Sequence, residues 1–296
     1  MNHTPHDTRR GFLRRSTLTA AALAAPRLAA ADAPAPLFSA LGLAAGLDKA
    51  AALKQAGAQF LTLGTDAFLA PAEPEAVFEK NLARLREGPL PALACNGFIR
   101  PPELRCVGAD ATPDEVLGWA EKVFQRAGRA GIKFVVFGSS GARRLKDGWS
   151  REKADAQFVA LLKRMGPRAE AAGVTVTIEQ LNSGECNYIT RLAEGAAIVR
   201  AVGHPRIRML ADLYHMARMG DGPAELEAAM DTVVHVEIAE EKERTVPGVK
   251  GDDFRPWFRV LRKAGYHGAV SIEGRWDDTG QIERAFAEIR RQAAEA

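Results

Sequence analysis

Val174-Thr-Val-Thr-Ile-Glu179-Gln-Leu-Asn182-Ser-Gly-Glu185 is the stretch on which the fold turns. Val174, Val176 and Ile178 alternate with threonines and stop at a carboxylate, which predicts a buried strand that carries Glu179 to its C-terminal end. Three later stretches end the same way: Leu210-Ala-Asp212, followed by Leu213, Tyr214 and His215; Val233-Val-His235-Val-Glu237; and Val270-Ser-Ile-Glu273. A helical segment separates each from the next. One acid at the end of an apolar strand is ordinary, but acids at four successive strand ends converge on one rim if the strands form a parallel barrel.

Working outward, residues 38–43, 60–63, 93–96 and 133–137 read as four earlier strands. Residues 48–56, 77–86 and 151–172 read as helices, and another opens at Thr112-Pro113-Asp-Glu115. There Thr112 is the expected N-cap, Pro113 the first helical residue and Glu115 the partner in a capping box, with Gly131 at the far end. Ile189, Leu192, Val199 and Val202 fall on one helical face; residues 225–230 and 255–264 are helical; Ile282, Phe286 and Ile289 give the last helix its apolar side. Gly138-Ser-Ser-Gly141, after the fourth strand, reads either as a turn whose amides approach a ligand or as a plain tight turn. Eight strands alternating with helices predict an α/β protein, a (β/α)₈ TIM barrel in a single domain over residues 32–296.

The N-terminus reads Thr8-Arg9-Arg10-Gly11-Phe12-Leu13-Arg14, then a weakly hydrophobic Ala/Leu stretch from Leu18 to Ala25, then Ala29-Ala30-Ala31. This resembles a twin-arginine signal peptide over residues 1–31, with the small residues as its cleavage site. It implies passage through the twin-arginine translocase and a periplasmic location; its apolar run is too short for a permanent membrane anchor. Residues 1–31 hold five arginines and one aspartate, so without them the net charge falls from +3 to −1. No electrostatic footprint for nucleic acid is left. Cys95, Cys106 and Cys186 are too few and too irregular for a disulfide framework or a zinc ribbon; a Cys95–Cys106 bridge and buried free thiols are both open.

Glu179, Asp212, Glu237 and Glu273 on one rim would raise one another's pKa, a conflict that a divalent cation resolves. Oxygen donors suit Mn²⁺ or Mg²⁺ better than a structural zinc. The ordered motifs Glu179-Gln-Leu-Asn-Ser-Gly-Glu185, Asp212-Leu-Tyr-His215, His235-Val-Glu237-Ile-Ala-Glu240 with Arg244-Thr-Val-Pro247-Gly248, and Ser271-Ile-Glu273 resemble those of the sugar isomerase/epimerase superfamily with a xylose-isomerase-like barrel, ketose 3-epimerases among them. The resemblance implies that Glu179, Asp212 and Glu273 bind one divalent metal, Mn²⁺ first, with Mg²⁺, Co²⁺ or Zn²⁺ as alternatives. It implies further that Glu179 and Glu273 are the acid/base pair that moves a proton beside a sugar carbonyl through an enediolate. Glu185, His215 and Arg244 match positions that contact substrate hydroxyls and the carbonyl oxygen.

The chain departs from the family on the seventh strand, where His-x-His is usual and His235-Val-Glu237 stands instead; an extra residue also precedes Arg244. Glu237 is therefore expected as the fourth metal ligand, with His235 a layer deeper, supporting a ligand through a hydrogen bond. The leading expectation is a metal-dependent isomerase or epimerase acting on an unphosphorylated sugar or keto-sugar. A lyase that cleaves a 3-keto-glycoside by β-elimination uses the same parts, and a non-catalytic sugar-binding protein shares the pocket. An endonuclease of the same barrel superfamily fits poorly with so few histidines and a mature charge of −1. A homo-oligomer is compatible with all of these.

Overall fold

Short apolar strands that bury both faces are at home in an all-parallel sheet covered by helices. The computed structural model describes residues 36–296, and it joins the strands in that way. They are β1 Leu41–Ala44, β2 Phe60–Gly64, β3 Ala92–Asn96, β4 Phe134–Phe137, β5 Thr175–Glu179, β6 Ile207–Asp212, β7 Val233–Ile238 and β8 Val270–Ile272. Each pairs in parallel with the next, and β8 returns to β1, so the sheet closes into a barrel.

The register decides which side chains share the interior. Glu179 lies opposite Leu210, Asp212 opposite Glu237, and Glu237 opposite Ser271. With side chains alternating along each strand, Thr177 and Glu179, Leu210 and Asp212, His235 and Glu237, and Ser271 face the same way. That way is inward, because the hydroxyls of Thr62 on β2 and Ser271 on β8 meet at 2.9 Å although their strands are not neighbours. Gly42 on β1, between them, makes room: a Cβ there would lie 2.5 Å from the Phe60 ring. Below the acids Ala94, Val136 and Leu210, with Phe134 against them, form a small apolar cluster that shares the interior with His235 and the buried hydroxyls. The larger core lies between the outer strand faces and the helices, where Phe124, Phe158, Phe258 and Phe286 are fully or almost fully buried.

Most of the expected elements form within a residue or two of their expected ends. The first strand begins at Leu41 rather than residue 38: Phe38 packs edge-on against Phe258 and Tyr266, and Ser39 N–H donates to Gly268 O, so this segment is tied to the helix and turn before β8 instead. Thr112 and Pro113 do open the helix Pro113–Arg129, but the capping box is not made. The Thr112 hydroxyl instead accepts from Arg105 N–H at 2.9 Å, tying the preceding loop. Ile189 is not on the helix Leu192–Val202; it has φ +58° and its carbonyl accepts from Leu181 N–H, closing the loop after β5 while its side chain stays buried. The helix Leu213–Met219 was not expected at all.

All three cysteines are free and buried, so the bridge is not formed; burial pushes the Cys106 thiol up to about 12 and Cys95 higher still. The twin-arginine-like segment, residues 1–31, lies outside the described residues. Among the described residues no helix is long and apolar enough to cross a membrane.

Candidate functional site

Four strand ends bring Glu179, Asp212, Glu237 and Glu273 together: one carboxylate oxygen from each lies within 4.8 Å of the others. Glu179 and Asp212 are the last residues of β5 and β6, Glu237 is the last but one of β7, and Glu273 directly follows β8. Glu237 is fully buried, and neither of its oxygens has a hydrogen-bond partner among the described residues. Leaving a buried carboxylate unpaired is costly. Burial first, and then the charges of Glu273, Glu179 and Asp212, hold the Glu237 carboxyl well above the ordinary carboxylate range. Glu273 is pushed up to about 7 by burial and by Glu179. Four acids so placed need a cation if they are to be anionic together, and an all-oxygen donor set fits a hard divalent ion. The residues present therefore fit a single divalent metal.

His235 sits on the same face of β7, two residues deeper, stacked on Phe134 with ring centroids 4.9 Å apart. Its Nε2 is 4.0 Å from Glu237 Oε1, beyond hydrogen-bond reach, so the expected hydrogen bond to a ligand is not made. Burial lowers its pKa to about 3, and the ring is neutral.

His215 reaches the site because Asp212 caps the helix Leu213–Met219, its Oδ1 accepting from His215 N–H at 3.1 Å. The ring is buried, and Nδ1 accepts from the Asn182 backbone N–H at 3.1 Å. That places the ring proton on Nε2, which faces Glu179 at 3.5 Å, Asp212 at 3.8 Å and Glu185 at 4.0 Å. Arg244 covers the acids from the rim. It contacts Glu273, approaches Glu185 at 3.4 Å and Asp212 at 3.8 Å, and lies over the Tyr214 ring at 4.7 Å. Glu179, Glu185, His215, Arg244 and Glu273 line one cavity of about 370 Å³, large enough for a small polar molecule and walled mostly by polar groups, and Asp212 and Glu237 join it through their cluster with Glu179 and Glu273.

Several participants were not singled out. Asn96, at the end of β3, donates to Glu273 Oε1 at 2.8 Å; Asn182 donates to Glu185 Oε1 at 3.0 Å as well as to His215. Gly138 lies against Glu179: a Cβ there would be 2.3 Å from Oε2. Arg143 is fully buried and donates to Gly138 O and Glu179 O, both at 2.6 Å, joining the ends of β4 and β5 behind the carboxylate. Of these, Asn96 carried a signal in its place at a strand end on the functional rim of a barrel, and Gly138 in the small-residue turn read after the fourth strand.

Comparison with known proteins follows the same lines. A family model described as a xylose isomerase-like TIM barrel matches residues 50–294. L-ribulose 3-epimerase of Mesorhizobium japonicum is 30% identical over 145 residues, 49% of this chain and 46% of that protein. 2-oxo-tetronate isomerase of Cupriavidus necator is 30% identical over 128 residues, 42% of this chain and 49% of that protein. The chain thus spans about half the length of the curated relatives it matches. Among solved structures, an L-ribulose 3-epimerase superposes with a TM-score of 0.73 at 20% identity, over 87% of this chain and 96% of that one, a likeness of fold.

Proposed function

Because the chain belongs to the xylose isomerase-like TIM barrel family, we propose that it is a divalent-metal-dependent isomerase or epimerase that acts on an unphosphorylated sugar or keto-sugar by proton transfer next to the carbonyl. The observation that carries this reading is the convergence of Glu179, Asp212, Glu237 and Glu273 from four strand ends on one cluster, two of whose members, Glu179 and Glu273, line a polar cavity. The names of the relatives, an L-ribulose 3-epimerase and a 2-oxo-tetronate isomerase, support the same class of chemistry.

In this reading Glu179, Asp212, Glu237 and Glu273 hold the metal, Mn²⁺ being the first choice. When bound, the ion supplies positive charge to substrate oxygens that become anionic as the proton leaves. Glu179 and Glu273 are the proton-transfer pair: one takes the proton from the carbon beside the carbonyl, and the other gives a proton back from the opposite face or to the adjoining carbon. A carboxyl whose pKa lies near neutrality, as at Glu273, is suited to carrying a proton in either direction. Asn96 holds one oxygen of Glu273 and leaves the other for Arg244. His215 Nε2–H and the Arg244 guanidinium are donors for the carbonyl and hydroxyl oxygens, and Glu185 is an acceptor for hydroxyls. The acidic wall favours neutral polyols over phosphorylated ones.

The test is solvent exchange. Unphosphorylated ketoses, L-ribulose first, are incubated with the protein in D₂O with and without Mn²⁺ and followed by NMR. Metal-dependent deuterium incorporation beside the carbonyl is expected; its absence across the ketose set would sink the reading. The proposed location is the periplasm, reached by the twin-arginine route on the strength of Arg9-Arg10 and the apolar run after them. Replacing both arginines with lysine should stop export, and undiminished export would refute the route.

A further inference from the structure

Glu240 carries a buried carboxylate that proton transfer does not use. It lies three residues beyond Glu237 and is fully buried. It accepts from the backbone N–H groups of Gly248 and Gly251, both at 2.9 Å, Lys250 at 2.5 Å and Asp252 at 3.3 Å, and from the Thr245 hydroxyl at 2.7 Å. Every one of these donors comes from the single loop that follows β7. A carboxylate offers acceptors on both oxygens, whereas an amide in its place would turn its NH₂ toward at least one backbone N–H, that of Lys250. The loop is therefore folded around an anion.

What the loop delivers is Arg244. Glu243 and Arg244 have φ of +65° and +53°, a region that side-chain-bearing residues enter only when their surroundings impose it. Glu240 N–H donates to Thr245 O at 2.8 Å and Arg275 N–H to Arg244 O at 2.6 Å, which pins the backbone on both sides of this strained pair. The remaining turn of the loop is held by the Glu240 carboxylate. We infer that Glu240 is a positioning residue, whose buried carboxylate folds residues 241–252 into the one shape that aims Arg244 at the four-carboxylate site. The part of this inference that concerns substrate rests on the reading of Arg244 under the proposed function; the part that concerns the loop does not.

The experiment uses the full chain, with Glu240→Gln as the main variant and Thr245→Val as a milder one that removes a single hydrogen bond. Amide hydrogen exchange is read over residues 241–252 and over the strands. Glu240→Gln should speed exchange in the loop at least about tenfold, the loss expected for one charge-assisted hydrogen bond, while the strands keep wild-type protection. Should Glu240→Gln fail to fold, Thr245→Val carries the same comparison with a smaller rise. Wild-type protection of the loop in a folded variant overturns the inference. A second arm measures deuterium incorporation into the ketose for Glu240→Gln, Arg244→Gln and the double variant. Glu240→Gln should lower kcat/KM by about 10², the scale of a contact misplaced by an ångström, and should cost nothing further in the Arg244→Gln background. An equal loss in that background means that Glu240 does not act through Arg244. If the wild-type protein exchanges no ketose, the proposed reaction fails, and the loop measurement still decides for or against Glu240.

Discussion

Glu179 and Glu273 reach the site from separate strands, one at the end of β5 and the other just beyond β8, with different supports. Glu179 is buried beside Gly138 and faces His215 Nε2; Glu273 is largely buried, held by Asn96 on one oxygen and by Arg244 on the other. In the proposed reaction both are needed, so Glu179→Gln and Glu273→Gln should each lower ketose deuterium exchange by at least about 10² with the far-UV spectrum unchanged. Near-wild-type exchange in both variants would remove them from the proton-transfer role. On β7 the two candidate ligands differ in depth. Glu237 is level with Asp212 in the register, whereas His235 is level with Leu210 and stacks on Phe134. Isothermal titration with Mn²⁺ should therefore find binding at least about 10-fold weaker in Glu237→Gln, and weakened less in His235→Asn; the reverse order would make His235 the ligand.

At the scale of elements, each rim side chain is set by the turn that follows its strand. Asp212 is at once the end of β6 and the cap of the helix Leu213–Met219, which is why His215, three residues on, turns back toward the acids. The turn after β4 works differently. Gly138 has no side chain to offer, and that space is filled by Glu179; Arg143, in the short helix Ser140–Arg143, clamps the carbonyls of both residues. All four residues of Gly138-Ser-Ser-Gly141 line the cavity, which fits the reading of a turn that can approach a ligand, and the first glycine also makes room for the Glu179 carboxylate. Gly138→Ala should displace Glu179, destabilise the protein by about 1–3 kcal/mol as overpacking does, and depress ketose exchange well beyond what the stability loss accounts for. Urea unfolding paired with the exchange assay checks this, and unchanged exchange would show that Glu179 has room to move.

At the scale of the whole molecule, barrel closure forces the acids together. Without a cation, their mutual repulsion and burial raise the pKa values of Glu237 and Glu273, so the fold carries an electrostatic cost at its functional end. Metal binding to the folded state alone should relieve that cost: at a hundredfold excess over Kd the gain is about 2.7 kcal/mol. Calorimetry should show the melting temperature rising with Mn²⁺ and falling after chelation, and a transition indifferent to both would argue against a metal at the four acids. The barrel itself was legible in the chain because alternating strands such as 174–179 and apolar helix faces such as Ile282, Phe286 and Ile289 are local patterns, repeated often enough to count. The acids were legible for the same reason, each standing at the end of an apolar run. The roles of Asn96, Gly138, Arg143 and Glu240 were not, because they depend on partners distant in sequence: Asn96 on Glu273, Gly138 and Arg143 on Glu179, Glu240 on amides up to twelve residues away. Local pattern placed Glu237 nearer the strand end than His235 on their shared face, but only the register of β6 on β7 put one level with Asp212 and the other level with Leu210, against Phe134. Periodicity records which way a side chain points, and closure of the sheet decides what it meets there.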